Sequence, residues 1–243
     1  MREGRLNKLS TKFVDRSLMI AKLKEHLTIN PKTTAIIAID LHRGHLDPNV
    51  ATMPVPVEEG RRVLENTKKL FALARKYGIP IIHVILQIRQ ISDYLTEASI
   101  NPFWNAVENM KETLTPHKQS QIFKHNILGS IQTEIMPEVA PQKGDYVANN
   151  KKRLSAFYGT DLEILLRTLK VDTLILVGVN TNTCVQCTAF EAFNRDFKVI
   201  VVSDCVASMY GEDLHEFALQ NISRCIGWVL NLQELENKIK EAL

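Results

Sequence analysis

Between Thr33 and Leu230 the chain repeats one pattern: a short apolar run rich in β-branched residues, then a longer segment with helical spacing. The runs are TTAIIAID (33–40), IPIIHVIL (79–86), VDTLILVGV (171–179) and FKVIVVSD (197–204), with WVL (228–230) as a short last strand. They are nearly continuous in apolar residues rather than alternating, which marks strands buried on both faces of a parallel sheet. The intervening VEEGRRVLENTKKLFALARKYG (57–78) carries Val63, Leu64, Leu70, Leu73 and Ala74 at helical spacing and stops at Gly78. Residues 185–195 and 212–227 are two further helices. Alternating strands and helices require right-handed crossovers, and so predict an α/β fold with helices covering both faces of the sheet.

The 243 residues suit one α/β domain spanning 1–243. Residues 1–30 form a charged N-terminal helical extension without the apolar core of a signal peptide. The polar stretch 87–143, with NPFWNAVENM inside it, interrupts the rhythm and shows no obvious strand. A segment of that length is either a lid or a surface excursion. A net charge of +3 is too small to imply a nucleic-acid partner. No apolar run reaches the roughly 20 residues a bilayer span needs, so no membrane partner is expected. Four cysteines do not make a disulfide framework in a chain this size, so reduced thiols and a cytoplasmic location are expected.

One of those cysteines stands where chemistry is expected. Cys184 follows the run 171–179 and opens the helix 185–195, inside the polar turn NTNT. In open α/β sheets ligands bind beyond the carboxyl ends of the strands, where strand order reverses. Asp40 ends the first strand. If these two strands are neighbours at the reversal, acid and thiol face one crevice. The unpaired N–H groups of a helix N-terminus favour a thiolate and can also form an oxyanion hole. Three other readings stay open at this point: a small core hydrophobe, a redox pair in Cys184-Val185-Gln186-Cys187, or half of a zinc site. Cys205 and Cys225 are too far apart to be a second zinc pair, and the histidines show no ligand-type spacing.

The stretch KKRLSAFYGTDLEILLR (151–167), taken with AIIAID and VDTLILVGVNTNTCVQCTAFEAF, closely resembles the isochorismatase-like cysteine hydrolases. Within them it is most similar to the amidase branch that includes N-carbamoylsarcosine amidase, ureidoacrylate amidohydrolase and biuret hydrolase. The resemblance runs from about Thr33 to Leu235 and is weakest between Gln87 and Lys143. It implies a three-layer α/β/α domain on a six-stranded, mostly parallel sheet of order 3-2-1-4-5-6. It also implies a triad of Asp40, Lys151 and Cys184, with Lys152 on the motif's variable position. A non-proline cis peptide at Val179–Asn180 and an oxyanion hole from the N–H groups of Asn180 and Cys184 follow from the same resemblance. In that scheme Asp40 is general base and then acid, and Lys151 offsets the negative charge of its partners and lowers the thiol pKa. Cys184 attacks an amide or ureido carbonyl, ammonia leaves, and water hydrolyses the thioester or S-carbamoyl intermediate. A cofactor is not needed.

Relatives that hydrolyse nicotinamide carry an Asp-x-His metal motif after the second strand. HVILQIRQISDYL lacks it, so no catalytic metal is expected. Relatives that cleave a vinyl ether need no cysteine nucleophile, so Cys184 argues for C–N hydrolysis. An isochorismatase-type reaction and a non-catalytic binding module on the same fold are the alternatives. His42, Arg43 and His45 either contact substrate or cap their loop and pair with Asp47. Phe103 and Trp104 could close over a small-molecule substrate. Arg43 predicts a preference for a carboxylate-bearing substrate; without that contact a neutral ureide is expected instead. A homodimer or homotetramer is the expected assembly.

Overall fold

The computed structural model describes residues 12–110 and 121–242. In chain order its helices and strands are α1 (Ser17–Glu25), β1 (Thr34–Ile39), α2 (Arg43–Leu46), α3 (Val57–Lys76), β2 (Ile81–Val84), β3 (Gln90–Ser92), β4 (Leu95–Thr96), α4 (Pro102–Met110), β5 (Tyr146–Ala148), α5 (Leu162–Thr168), β6 (Thr173–Val179), α6 (Gln186–Phe193), β7 (Lys198–Ala207), α7 (Glu212–Cys225), β8 (Trp228–Leu230) and α8 (Leu232–Lys240). The main sheet runs β5-β2-β1-β6-β7-β8, and every neighbouring pair in it is parallel. Counting only its six strands, that order is the expected 3-2-1-4-5-6.

Every residue of β1, β2 and β6 is buried. Successive side chains enter two separate cores, as the period of two requires. Ile36, Ala38, Ile175 and Val177 pack with Val63, Leu70 and Phe71 of α3 and with Leu235 and Ile239 of α8. Ala35, Ile37, Ile39, Leu174 and Leu176 pack with Leu162 and Leu166 of α5, Ala189 of α6 and Ile222 of α7. This explains the continuous apolar runs. Full burial of one such side chain contributes about 1.5–3 kcal/mol. Replacing Leu70, 1% exposed, by alanine costs about 2–5 kcal/mol.

The strand order reverses between β1 and β6, and two local features bring their carboxyl ends close. Ile39 pairs with Gly178. Gly178 has φ +116°, and a Cβ there would lie 1.8 Å from the Ile39 carbonyl oxygen. Only glycine permits that approach. Asp40 and the turn that carries Cys184 therefore leave the sheet side by side.

The chain departs from the sequence expectation in two places. Segment 87–143 was expected to lack strands, yet β3 and β4 form an antiparallel hairpin there. The third of the six strands in chain order, β5, is implied by the resemblance but is not among the runs located by apolar pattern. Each is two or three residues long and mostly exposed. Neither length nor burial leaves a periodic trace in the sequence. At the N-terminus, the expected helix is α1 from Ser17; residues 1–11 of that expectation lie outside the described residues, as do 111–120 of the insert. Among the described residues no helix is long and apolar enough to cross a membrane.

Candidate active site

Asp40, Lys151 and Cys184 arrive from three elements and meet beyond the strand ends. Asp40 follows β1 with φ +54°. Its Oδ1 accepts a hydrogen bond from the Leu86 backbone N–H at 2.7 Å, and its Oδ2 accepts one from Lys151 Nζ at 2.6 Å. Lys151 Nζ also lies 3.3 Å from Cys184 Sγ. Asp40 and Lys151 are wholly buried and Cys184 is 3% exposed. Lys151 is placed by its own backbone, whose carbonyl accepts from Gln87 N–H at 3.0 Å. Lys152 points elsewhere: its Nζ donates to the Gln87 carbonyl at 2.7 Å and pairs with Glu97 at 3.2 Å. Of the two lysines, the site holds Lys151.

The turn before Cys184 is built by its own polar residues. The peptide Val179–Asn180 is cis, at the expected position. The Asn180 carbonyl accepts from Thr183 and Val185 N–H at 3.2 and 3.1 Å, and its side-chain oxygen accepts from Met209 N–H at 2.9 Å. Residues Thr181–Val185 form a single π-type turn leading into α6. Such turns recur at functional sites. Cys187, one helical turn further on, is a free thiol and does not line the cavity.

Burial dominates the thiol's protonation. It pushes Cys184 up to about 12, helped by the negative charge of Asp40 and opposed by Lys151. Burial also opposes the charge on Lys151, but Asp40 and Cys184 more than offset it, so the ammonium is held above its ordinary range. Burial therefore favours the neutral thiol, beside the contact between Lys151 and Asp40. Burial of the sulfur thus opposes the thiolate that the helix N-terminus favours. A proton acceptor is therefore required at the moment of attack, and Asp40 is the carboxylate in place.

Cys184, Thr183 and Asn180 form one wall of a cavity of about 40 Å³. Met209 and Tyr210, beyond the end of β7, flank them, with Leu86 and Leu154. Ile88, Ala98, Trp104, Ile122 and His125 of the 87–143 segment, with His45 of α2 and Met53 from the loop after it, complete it. At roughly 10–15 Å³ per water, the space holds on the order of three water-sized particles.

Of the expected substrate contacts, His45 and Trp104 line this cavity; Arg43, Phe103 and His42 do not. Arg43 starts α2 and turns away. Its guanidinium pairs with Asp47 at 2.7 Å and Glu134 at 3.1 Å. Phe103 is 65% exposed on the outer face of α4. His42 sits behind the wall, where Asn126 Nδ2 donates to its Nε2 at 2.6 Å. Burial holds His42 well below its ordinary pKa, so its 3.9 Å approach to Asp40 is not an ion pair. The expectation about histidine spacing also needs correction. Ring nitrogens of His42, His45 and His125 lie within 4.8 Å of one another, and among the described residues this is the set that could hold a metal ion. Sequence spacing detects ligands on one element, whereas here α3, β2, β3, β4 and α4 separate His125 from His42 and His45.

Sequence reasoning missed His125 and Tyr210. Tyr210 had a usable signal, its place just past the end of a parallel strand. His125 had none.

A family model described as the isochorismatase domain matches residues 34–234. The chain is 29% identical over 221 residues to ureidoacrylate amidohydrolase RutB of Methylobacterium radiotolerans, covering 88% of this chain and 83% of that one. It is also 29% identical over 214 residues to the isochorismatase family protein YwoC of Bacillus subtilis, covering 88% and 98%. Among solved structures, a cysteine hydrolase from Pseudomonas syringae pv. phaseolicola superposes with a TM-score of 0.72 at 24% identity, covering 90% of this chain and 97% of that one. N-carbamoylsarcosine amidase from Thermoplasma acidophilum gives a TM-score of 0.60 at 22% identity, covering 82% and 96%. Those two likenesses concern the fold; the family model, which spans most of the sequence including all three buried polar residues of the site, is what assigns the chain to the isochorismatase family.

Proposed function

We propose that this protein is a cysteine amidohydrolase that cleaves the C–N bond of a small linear amide or N-carbamoyl compound and releases ammonia. The observation that carries this reading is Lys151 Nζ bridging Asp40 Oδ2 at 2.6 Å and Cys184 Sγ at 3.3 Å, with Cys184 in the wall of a cavity. A relative named as an amidohydrolase supports the reaction class.

In the proposed sequence Asp40 accepts the thiol proton as Sγ attacks the carbonyl carbon. Lys151 keeps its charge throughout and holds the other two groups in place. The tetrahedral oxyanion is stabilised by the backbone N–H groups of Asn180 and Cys184. As the intermediate collapses, Asp40 returns its proton to the nitrogen, the C–N bond breaks and ammonia leaves. Water then attacks the thioester or S-carbamoyl carbon, Asp40 takes the water's proton, and that proton returns to sulfur as the acid departs. Among the described residues that line the cavity none is an acid, a lysine or an arginine, and burial depresses the pKa of both His45 and His125. With Arg43 outside, the wall favours a neutral substrate over a carboxylate. An ammonia-release screen over small amides, ureides and carbamoyl amino acids tests the reading. Release above background for a neutral member is expected; release confined to carboxylate-bearing members, or from none, contradicts it.

A further inference from the structure

His45 and His125 stand side by side in the cavity wall with ring centroids 4.5 Å apart, and the triad chemistry uses neither. Their tautomers can be read from their partners. His45 Nδ1 lies 2.7 Å from the Met53 carbonyl oxygen. A carbonyl only accepts, so Nδ1 carries the hydrogen and Nε2 of the neutral ring presents a lone pair. His125 Nδ1 lies 2.9 Å from Thr52 Oγ1, and Thr52 Oγ1 in turn donates to Gln132 Oε1 at 3.5 Å. Assigning the hydroxyl hydrogen of Thr52 to Gln132 Oε1, an oxygen that can only accept, makes Thr52 the acceptor from His125 and leaves Nε2 of His125 with a lone pair. That Nε2 is buried without a partner. A buried acceptor left unpaired costs about 1–3 kcal/mol, so the wall is built to receive a donor.

We infer that His45 Nε2 and His125 Nε2 together recognise an –NH2 group of the substrate, the amide or ureido nitrogen at the end away from the bond that is cleaved. Two neighbouring acceptors match a group with two N–H bonds and no competing negative charge. A carboxylate would face them with lone pairs only, and a methyl group would leave both unpaired. The leaving nitrogen belongs beside Asp40, which has His42 at 3.9 Å and neither His45 nor His125 within 4 Å, although its charge reaches His45. The nitrogen read by His45 and His125 is therefore a second one.

The observations favour this over a divalent cation on the three histidines. Asn126 already occupies Nε2 of His42. The ring nitrogens also spread over up to 4.8 Å, against about 3.4 Å between nitrogens around tetrahedral zinc.

The inference rests on the amidohydrolase reading, and its test is read without turnover. Iodoacetamide alkylation of Cys184 is followed by mass spectrometry with and without protecting compounds in two near-isosteric pairs. These are succinamide against 4-oxopentanamide, and biuret against N-acetylurea; each pair exchanges one distal –NH2 for –CH3. In the wild-type protein the –NH2 member should protect at a concentration at least about tenfold lower than its partner. His125→Phe and His45→Phe, checked by circular dichroism, should each erase most of that difference. Equal protection within both pairs, or no protection by either –NH2 member, overturns the inference even if a variant fails to fold. Discrimination that survives in a folded His125→Phe variant also overturns it, as does stoichiometric Co²⁺ binding by the wild type that is lost in that variant. Cys184-dependent ammonia release from other amides would leave the amidohydrolase reading standing in each case.

Discussion

The two walls of the cavity are made by different means. On one side, Asp40 and the turn 180–184 extend directly from β1 and β6, whose ends are locked by the Ile39–Gly178 pairing and a contact only glycine allows. On the other side, Trp104, Ile122, His125 and Met53 come from a short helix and irregular loops held by side-chain contacts, such as Arg153 lying 5.5 Å over the Trp104 ring. The first wall holds three interacting polar groups at fixed distances. The second presents apolar surface and the unpartnered Nε2 of His125. Bond breaking loses rate steeply when reacting groups shift by about 1 Å, so it belongs on rigid sheet ends. Selecting a molecule tolerates variation and sits on connecting segments.

If the division holds, changes on the first wall remove the reaction and changes outside both walls do little. The largest loss is expected for Asp40→Asn, which keeps an acceptor for Leu86 N–H but removes the proton acceptor that a thiol pushed up to about 12 requires. Ammonia release should fall by about 10⁴-fold or more; a loss under tenfold would mean that another base serves the sulfur. Lys151→Ala should follow. It leaves the Asp40 carboxylate buried and unpaired, at a cost of about 3–5 kcal/mol in thermal or denaturant unfolding. It should also slow iodoacetamide labelling of Cys184, since the lysine is the cation that lowers the thiol's pKa. Lys152→Ala should do neither, and the reverse pattern would misplace the site by one residue.

Labelling should also depend on pH in a definite direction. Because burial raises the Cys184 pKa, the thiolate is scarce at neutrality and its fraction grows tenfold per pH unit up to about 12. Labelling of the free enzyme should therefore accelerate continuously between pH 7 and 10; a plateau near pH 7 would restore the preformed thiolate. A smaller effect is expected from Arg43→Ala, whose guanidinium serves Asp47 and Glu134. It should change kcat/KM by no more than about twofold and leave the choice between charged and neutral substrates intact. A marked loss of carboxylate substrates alone would return Arg43 to the site. Prolonged chelation should have the smallest effect, leaving the rate unchanged; activity lost to chelator and restored by zinc would move the chemistry to the histidines.

The same division decides what could be read from the sequence. β1, β6 and the triad lie in continuous local stretches, so strand pattern and resemblance locate Asp40, Lys151 and Cys184 together. His125 contributes through a contact that exists only after α3, β2, β3, β4 and α4 have been laid between it and His45, and no local pattern encodes that. Arg43 shows the opposite error. Closeness to Asp40 along the chain suggested a shared crevice, but α2 begins at Arg43 and directs it to Asp47 at i+4, a spacing visible in HRGHLD. β5 pairs with β2 over three residues, too few to show a period. The push of burial on the thiol is not legible in the sequence, because the degree of burial is a property of the folded chain.

The most direct test of the central claim is ammonia release by Cys184→Ala beside Cys187→Ala, each confirmed folded by circular dichroism, on the best neutral amide or ureide from the screen. Cys184 lines the cavity at 3.3 Å from Lys151 Nζ, whereas Cys187 lies off its wall. The account predicts no turnover above background for Cys184→Ala and nearly full activity for Cys187→Ala. Turnover by Cys184→Ala within tenfold of the wild type, or equal loss in both variants, would contradict it.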